Sequence, residues 1–312
     1  MFNIVIMMYH RVVNKKIDFK KAPFNLTKIE FIEQIDFLNK KFCIINSEDL
    51  YQIIQEGKYK SKKSPLLLTF DDGTKDHAKI VSPILKKKKI PGIFFVPARP
   101  AEKKKVLHAH AIHEILINTR NLNEIIKQID DYFLKNNLTR ENNLFKTKWL
   151  VPDKFNDKFT RYIKRMLQIG LPEQEREKIV NLFFQKYVTK NETEFVENFY
   201  ANQDDLKDMV EQEMILFPHG TNHYHMDILS QKELKLDIEG SLSFIRKFNK
   251  KITNWIACYP FGSFNKNVTN TCKKNGAFCG VTTKSGIVKL NKSTELMELP
   301  RINNDELYSK LS

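Results

Sequence analysis

The sequence predicts an α/β fold, a parallel (β/α) barrel interrupted by an all-helical insertion, and three observations carry that prediction. Short apolar runs alternate with amphipathic helical patterns over residues 1–102 and again over 212–312. The apolar runs are continuous rather than alternating, as in strands buried on both faces of a parallel sheet. Between the two stretches, residues 103–211 keep helical periodicity and lose the strand pattern.

The elements follow in order. NIVIMMY (residues 3–9) reads as a strand and TKIEFIEQIDFLNKKF (27–42) as a helix with Ile, Phe and Leu at helical spacing. PLLLTF (65–70) is a strand, AKIVSPILKKKK (78–89) a helix and PGIFFVP (91–97) a strand. VLHAHAIHEILINT, LNEIIKQIDDYFLKN, FTRYIKRMLQIG, EQEREKIVNLFFQKYV and DDLKDMVEQEM then carry helical patterns in succession. A helical block of this size inside a β/α chain is expected on one loop, as a lid or flank of a site. The β/α rhythm returns with MILFPH as a strand, SQKELKLDIEGSLSFIRKFN as a helix and NWIACYPFG as a strand ending in a turn. VTNTCKKNG is a short helix with Gly276 placed to end it, and FCGVTT and LMELPRIN are further strands.

Composition narrows the function. The chain has 312 residues, 41% of them hydrophobic, enough to bury a full core. Its formal charge of +15 suggests an anionic partner. The excess is lysine in short runs such as KYKSKKS and LKKKKIP, with no aromatic-interleaved basic motif, so specific nucleic-acid binding is not expected. Peripheral association with an anionic membrane fits the same charge. The opening MFNIVIMMYHRVV lacks a basic leader and a cleavage site and reads as a first strand, which makes the cytoplasm the expected compartment. Cys43, Cys258, Cys272 and Cys279 form no CxxC pair and are expected to be free thiols.

Three short stretches carry chemistry. Asp71 and Asp72 stand where a parallel strand ends, the edge on which β/α folds build their sites, although Asp-Asp-Gly is also ordinary turn chemistry. In HGTNHYH, His219 and His223 are four residues apart and can face one ion; with a carboxylate they would make a catalytic metal set that keeps open positions. His225 could stand in for one of them. Tyr259, Pro260, Phe261 and Gly262 form a turn at the end of a strand, which fixes the backbone and can aim an N–H into a site.

Together these stretches resemble the polysaccharide deacetylase family, the NodB-like carbohydrate esterases of family 4. TFDDG matches the first motif, HGTNH followed by DILS the second, and YPFGSFN the Tyr-Pro-Tyr-Gly turn of one branch. That branch opens with a Tyr-His-x-Val strand, here MYHRV with His10, and closes with Leu-Pro-Arg, here LPRIN with Arg301. The resemblance covers about residues 1–100 and 214–305, and KKVLHAHAIHEIL is similar to an insertion carried by some members.

The resemblance implies an irregular (β/α) barrel of the NodB-homology type, with residues 1–102 and 212–312 as the barrel and 103–211 as the insertion. It implies that Asp72, His219 and His223 hold one divalent metal ion, with zinc expected and nickel, cobalt, iron and manganese admitted by the same ligands. Asp71 would be the general base, its charge tolerated because the cation offsets the neighbouring carboxylate. Arg301 would hold and orient Asp71, His10 would be the general acid, and the backbone N–H near Phe261 would stabilise the oxyanion. The expected substrate is an N-acetylated amino sugar of a surface glycan or its lipid-linked precursor. An amidohydrolase acting on another amide bond, by deformylation or on a cyclic amide, and a catalytically idle glycan-binding protein are the rival readings.

Departures from the family pattern are visible. Phe217 and Pro218 replace the small pair before the first histidine, which would narrow the approach to the metal. Phe261 replaces a tyrosine, and Cys258 and Tyr259 stand where many members have an arginine, leaving Arg301 to supply that charge alone. Other residues receive plain structural readings. His77 is expected to face solvent, Asp76 carries no assignment, and Trp149 and Trp255 are expected in the core. His108, His110 and His113 are expected to pack on or cap their helix rather than bind metal.

Overall fold

The computed structural model describes residues 2–15, 25–153, 156–249 and 252–311. They form two compact units, residues up to 103 together with those from 197 onward, and residues 104–196. The first unit begins with β1 (Phe2–Tyr9), β2 (Arg11–Val13) and β3 (Asn25–Thr27). It continues with α1 (Lys28–Lys41), β4 (Cys43–Ile44), α2 (Ser47–Glu56) and β5 (Pro65–Asp71). A π turn (His77–Val81) runs into α3 (Ser82–Lys88), followed by β6 (Ile93–Val96) and α4 (Ala98–Lys103).

The second unit is helical, as the periodicity predicts. It contains α5 (His108–Asn118), α6 (Leu122–Lys135), α7 (Thr139–Trp149), α8 (Lys158–Arg165) and α9 (Glu173–Tyr187), and α10 (Glu192–Phe199) leads the chain out. Ile112, Ile115, Ile129, Phe133, Ile163 and Phe183 are buried in it. A polar chain crosses it: the Tyr162 hydroxyl donates to Asn142 Oδ1 (2.7 Å), and Asn142 Nδ2 donates to Asp130 Oδ1 (2.8 Å). His108 is buried with Nε2 3.6 Å from Glu177, and His110 and His113 are half-buried, in keeping with packing roles. Trp149 is buried here and Trp255 in the first unit, as expected of both.

After the helical unit come α11 (Gln203–Glu211), β7 (Ile215–Pro218), α12 (Gln231–Arg246), β8 (Trp255–Cys258) and α13 (Lys266–Lys274). The chain closes with β9 (Ala277–Ser285), β10 (Val288–Leu290), β11 (Leu299–Asn303) and α14 (Leu307–Leu311). The compact helical unit ends at Val196, so α11 belongs with the barrel strands.

The strands lie in the order β7-β6-β5-β1-β11-β9-β8, every neighbouring pair parallel. β4 pairs with the start of β5 and β10 runs antiparallel to the start of β1. β8 returns beside β7 without a backbone ladder, so the barrel is nearly closed and has one seam. Side chains alternate along β5: Phe70 stacks outward between Tyr9 (5.2 Å) and Phe94 (4.6 Å), while Thr69 and Asp71 turn inward to Arg301. The four cysteines are free, as the sequence predicts.

Gly280 lies on β9 where the Tyr259 hydroxyl crosses to donate to Met297 O (3.0 Å). A Cβ there would stand 2.3 Å from that hydroxyl and 2.8 Å from Met297 O. Gly280→Ala is therefore expected to lower unfolding free energy by about 1–3 kcal/mol, the usual cost of overpacking, measurable by urea denaturation.

Candidate active site

The carboxyl-terminal ends of β5, β7, β8 and β11 bring the predicted residues together. Asp71 is the last residue of β5 and is buried. Arg301 on β11, 1% exposed, meets it in a two-pronged ion pair, Nη1 to Oδ1 at 2.8 Å and Nη2 to Oδ2 at 2.7 Å. The guanidinium also donates to Thr69 Oγ1 (3.1 Å) and to Thr282 O (2.9 Å), which fixes its plane. Burial pushes the Asp71 carboxyl up, but the charge and hydrogen bonds of Arg301 outweigh it and hold the group below its usual range. His10 adds a smaller pull in the same direction.

Asp72 faces elsewhere. It and Gly73 both adopt left-handed backbone, φ 81° and 61°, so the chain turns sharply after β5. A Cβ on Gly73 would lie 2.9 Å from Val96 Cγ1, a second reason for glycine there. The turn sets Asp72 Oδ1 3.2 Å from His223 Nε2 and 3.7 Å from His219 Nε2. Each of these three buried residues offers a ligand atom within 4.8 Å of the others. Among the described residues one other such group exists, Asp71, His219 and Cys258, and it shares its carboxylate with Arg301.

The histidines suit a metal. His219 Nδ1 bonds Cys258 O (2.9 Å), so the proton resides on Nδ1 and Nε2 presents its lone pair toward Asp72. That bond also joins the ends of β7 and β8 across the seam. Burial, reinforced by His223, pushes the His219 imidazole down to about 4, so it is neutral at pH 7, as a ligand must be. His223 has φ 57°, a strained value for a non-glycine residue.

The loop between them is held on both sides. Ala98 and Arg99, opening α4, donate their N–H groups to Gly220 O (3.3 Å) and Thr221 O (2.9 Å). Asp237 on α12 accepts the Thr221 and Asn222 N–H groups at Oδ1, both at 3.1 Å. Sequence reasoning passed over Asp237. Its signal was a carboxylate on the buried face of α12, in register with Leu234, Ile238 and Ser241.

In the turn at Tyr259–Gly262, the Tyr259 side chain is buried on the core side, so that residue can offer the site only its backbone. Phe261 adopts φ 60°; its ring stacks on His225 (4.2 Å, 4°) and meets His223 edge-on (4.8 Å). His225 is thus the stacking partner of Phe261. Phe217 and Pro218 end β7 as buried strand residues. The buried Cys258 thiol lies within 4.8 Å of a carboxylate oxygen of Asp71, and burial pushes it well above the ordinary thiol range.

Two residues depart from expectation. His77 is wholly buried between Phe70 (5.8 Å) and Phe94 (5.5 Å) instead of facing solvent, because the π turn directs it under the sheet. Asp76, unassigned from sequence, is buried and binds Arg11.

The Asp71–Arg301 pair generates a prediction. Asp71 contributes stability that is present above its unfolded value of about 3.9 and is lost as the pH falls through its lower folded value. Arg301→Met leaves a buried, uncompensated carboxylate, and should cost about 3–5 kcal/mol at pH 7. With only burial acting, the Asp71 folded value rises above the unfolded one, so the sign reverses and the variant recovers stability as the pH is lowered toward 5. Denaturant unfolding at a series of pH values reads both changes.

The sequence profile of the polysaccharide deacetylase family matches residues 58–141 and 174–279. No curated protein matches the chain. Among solved structures, the Streptococcus pyogenes deacetylase PplD in complex with acetate superposes with a TM-score of 0.62 at 16% identity, over 99% of this chain and 98% of that one. IcaB from Ammonifex degensii gives 0.56 at 14% over 97% and 92% of the two chains. The BpsB deacetylase domain from Bordetella bronchiseptica gives 0.55 at 14% over 97% and 96%. These likenesses establish the fold as the irregular barrel of the NodB type. With the profile spanning more than half of its length, the chain belongs to the polysaccharide deacetylase family, hydrolases of carbon–nitrogen bonds in linear amides other than peptide bonds.

Proposed function

We propose that the chain is a metal-dependent N-deacetylase acting on an amino sugar of a surface glycan or its lipid-linked precursor. One observation supports this most: the Asp72–His219–His223 group stands directly beside a separate carboxylate, Asp71, that Arg301 keeps ionised. A binding protein has no need of that second carboxylate.

Asp72, His219 and His223 would hold the ion, for which zinc suits the His₂Asp set. Once bound, it would polarise the amide carbonyl and make a coordinated water more acidic. Asp71 would take the proton of the attacking water, its orientation fixed by both prongs of Arg301. Of the Tyr259–Gly262 turn, Gly262 N–H already donates to Tyr259 O (2.8 Å) and Pro260 has no N–H. Tyr259 and Phe261 are therefore the oxyanion donors the turn can offer. Amine departure requires a proton at nitrogen, and His10, next after β1, would supply it.

Elemental analysis of the purified protein should find about one divalent ion per chain, and His219→Ala/His223→Ala should abolish it. Wild type supplied with zinc should release acetate from β-1,4-linked N-acetylglucosamine pentamer. Asp71→Asn should slow release by about 10²–10⁴-fold with metal content unchanged. A wild type that binds none of zinc, cobalt and nickel would overturn the metal reading.

A further inference from the structure

His10 occupies the one-residue corner between β1 and β2, where the sheet ladder has stopped. Two consecutive side chains from the turn after β5 grip that corner. His77 Nε2 lies 2.5 Å from the His10 carbonyl oxygen. A carbonyl only accepts, so the proton is on Nε2 and His77 is the donor. Burial pushes the His77 imidazole below its usual range and keeps it neutral, and its Nδ1 is buried without a hydrogen-bond partner among the described residues. Asp76 takes the next peptide: its Oδ2 accepts the Val12 N–H (2.8 Å), and both oxygens lie 3.0 Å from Arg11 Nε. Arg11 in turn lies over the Phe199 ring, 4.4 Å from its centre.

The cost of this arrangement is informative. An imidazole enclosed by Phe70 and Phe94, with one ring nitrogen unsatisfied, is a less favourable occupant than a phenylalanine of similar shape. Its Nε2 hydrogen bond goes to the His10 carbonyl. The π turn that begins at His77 is itself a rare geometry that recurs at functional sites.

We infer that Asp76 and His77 are positioning residues for His10, fixing the peptides on its C-terminal side so that its ring is held ready to protonate the departing amine. The inference rests on the reading of His10 as the general acid. Neither residue reaches the substrate; both act through the backbone of residues 10–12.

The test separates proton donation from general damage to the site. The amine of an N-acetyl sugar needs a proton to leave, whereas 4-nitrophenolate does not. Hydrolysis of the N-acetylglucosamine pentamer and of 4-nitrophenyl acetate is compared for wild type, His77→Phe, His77→Gln, Asp76→Ala, His10→Gln and the double variant His10→Gln/His77→Phe. His77→Phe and Asp76→Ala are expected to lower kcat on the amide about 10–100-fold, with KM and ester hydrolysis unchanged. His77→Gln, which retains an N–H donor, should recover part of the loss. In the His10→Gln background, His77→Phe should have no further effect.

Equal losses on amide and ester, or additive losses in the double variant, would overturn the inference and leave His77 a packing residue. A His10→Gln variant with undiminished amide turnover would instead overturn the reading of His10. The crystal structure of His77→Phe, or of Asp76→Ala if the first does not fold, gives an outcome independent of turnover. A displaced or doubly ordered His10 ring is expected, and a ring unmoved from its wild-type position refutes the inference.

Discussion

The buried pair between Arg301 and Asp71 is the constraint on which the rest of the barrel end depends. Arg301 leaves β11, receives its carboxylate from β5 and donates to a carbonyl of β9, while Thr69, which it also touches, donates to Met7 O of β1 (2.5 Å). Arg301 thereby registers three strands, and Thr69 extends the tie to a fourth. Its burial would be prohibitive without full satisfaction of the guanidinium, and each partner supplies what the other requires. A structural tie and an ionised carboxylate at the site are thus the same interaction.

Strain is concentrated beside that tie. Among the described residues, three of the seven non-glycine positions with positive φ are Asp72, His223 and Phe261, all at the site. Such conformations persist when neighbours over-determine them. Here the neighbours are identifiable: the opening N–H groups of α4 and the Asp237 carboxylate grip the loop from Gly220 to Asn222. The seam between β7 and β8 lacks a ladder, and the bond from His219 to Cys258 O bridges it. Closing the barrel at this point and fixing the tautomer of a candidate ligand are done by one hydrogen bond.

The sequence displayed the long, doubly buried strands because their apolar runs are unbroken, and the helical unit because its periodicity is sustained. β2, β3, β4 and β10 are two or three residues long and carry no pattern of their own; pairing with β1, β5 or each other defines them. The motif residues Asp71, Asp72, His219, His223 and Arg301 were visible because their spacing is local or tied to a strand end. Asp237, Asp76 and His77 were not, since each acts on backbone brought close by the fold. A buried carboxylate on an apolar helix face looks, in sequence, like an ordinary surface acid. His77 precedes the apolar pattern of the following helix and so carries no sign of burial in sequence; the π turn that begins at it is not written in that pattern.

Adjacent carboxylates repel, and the family resemblance suggests a bound cation as the remedy. The fold adds a different one. Because Asp71 is still in β5 and Asp72 already in left-handed backbone, the two side chains diverge, one toward Arg301 and the other toward the histidines. Each charge has its own counterpart, and that of Asp71 is a residue of the chain itself. The Asp71 carboxylate is therefore held ionised by folding alone, independently of whatever the Asp72 group binds. Two neighbouring aspartates turned to different surroundings form a pair in which one charge is answered within the chain and the other is left, beside neutral imidazole, for a bound cation to answer on the proposed reading.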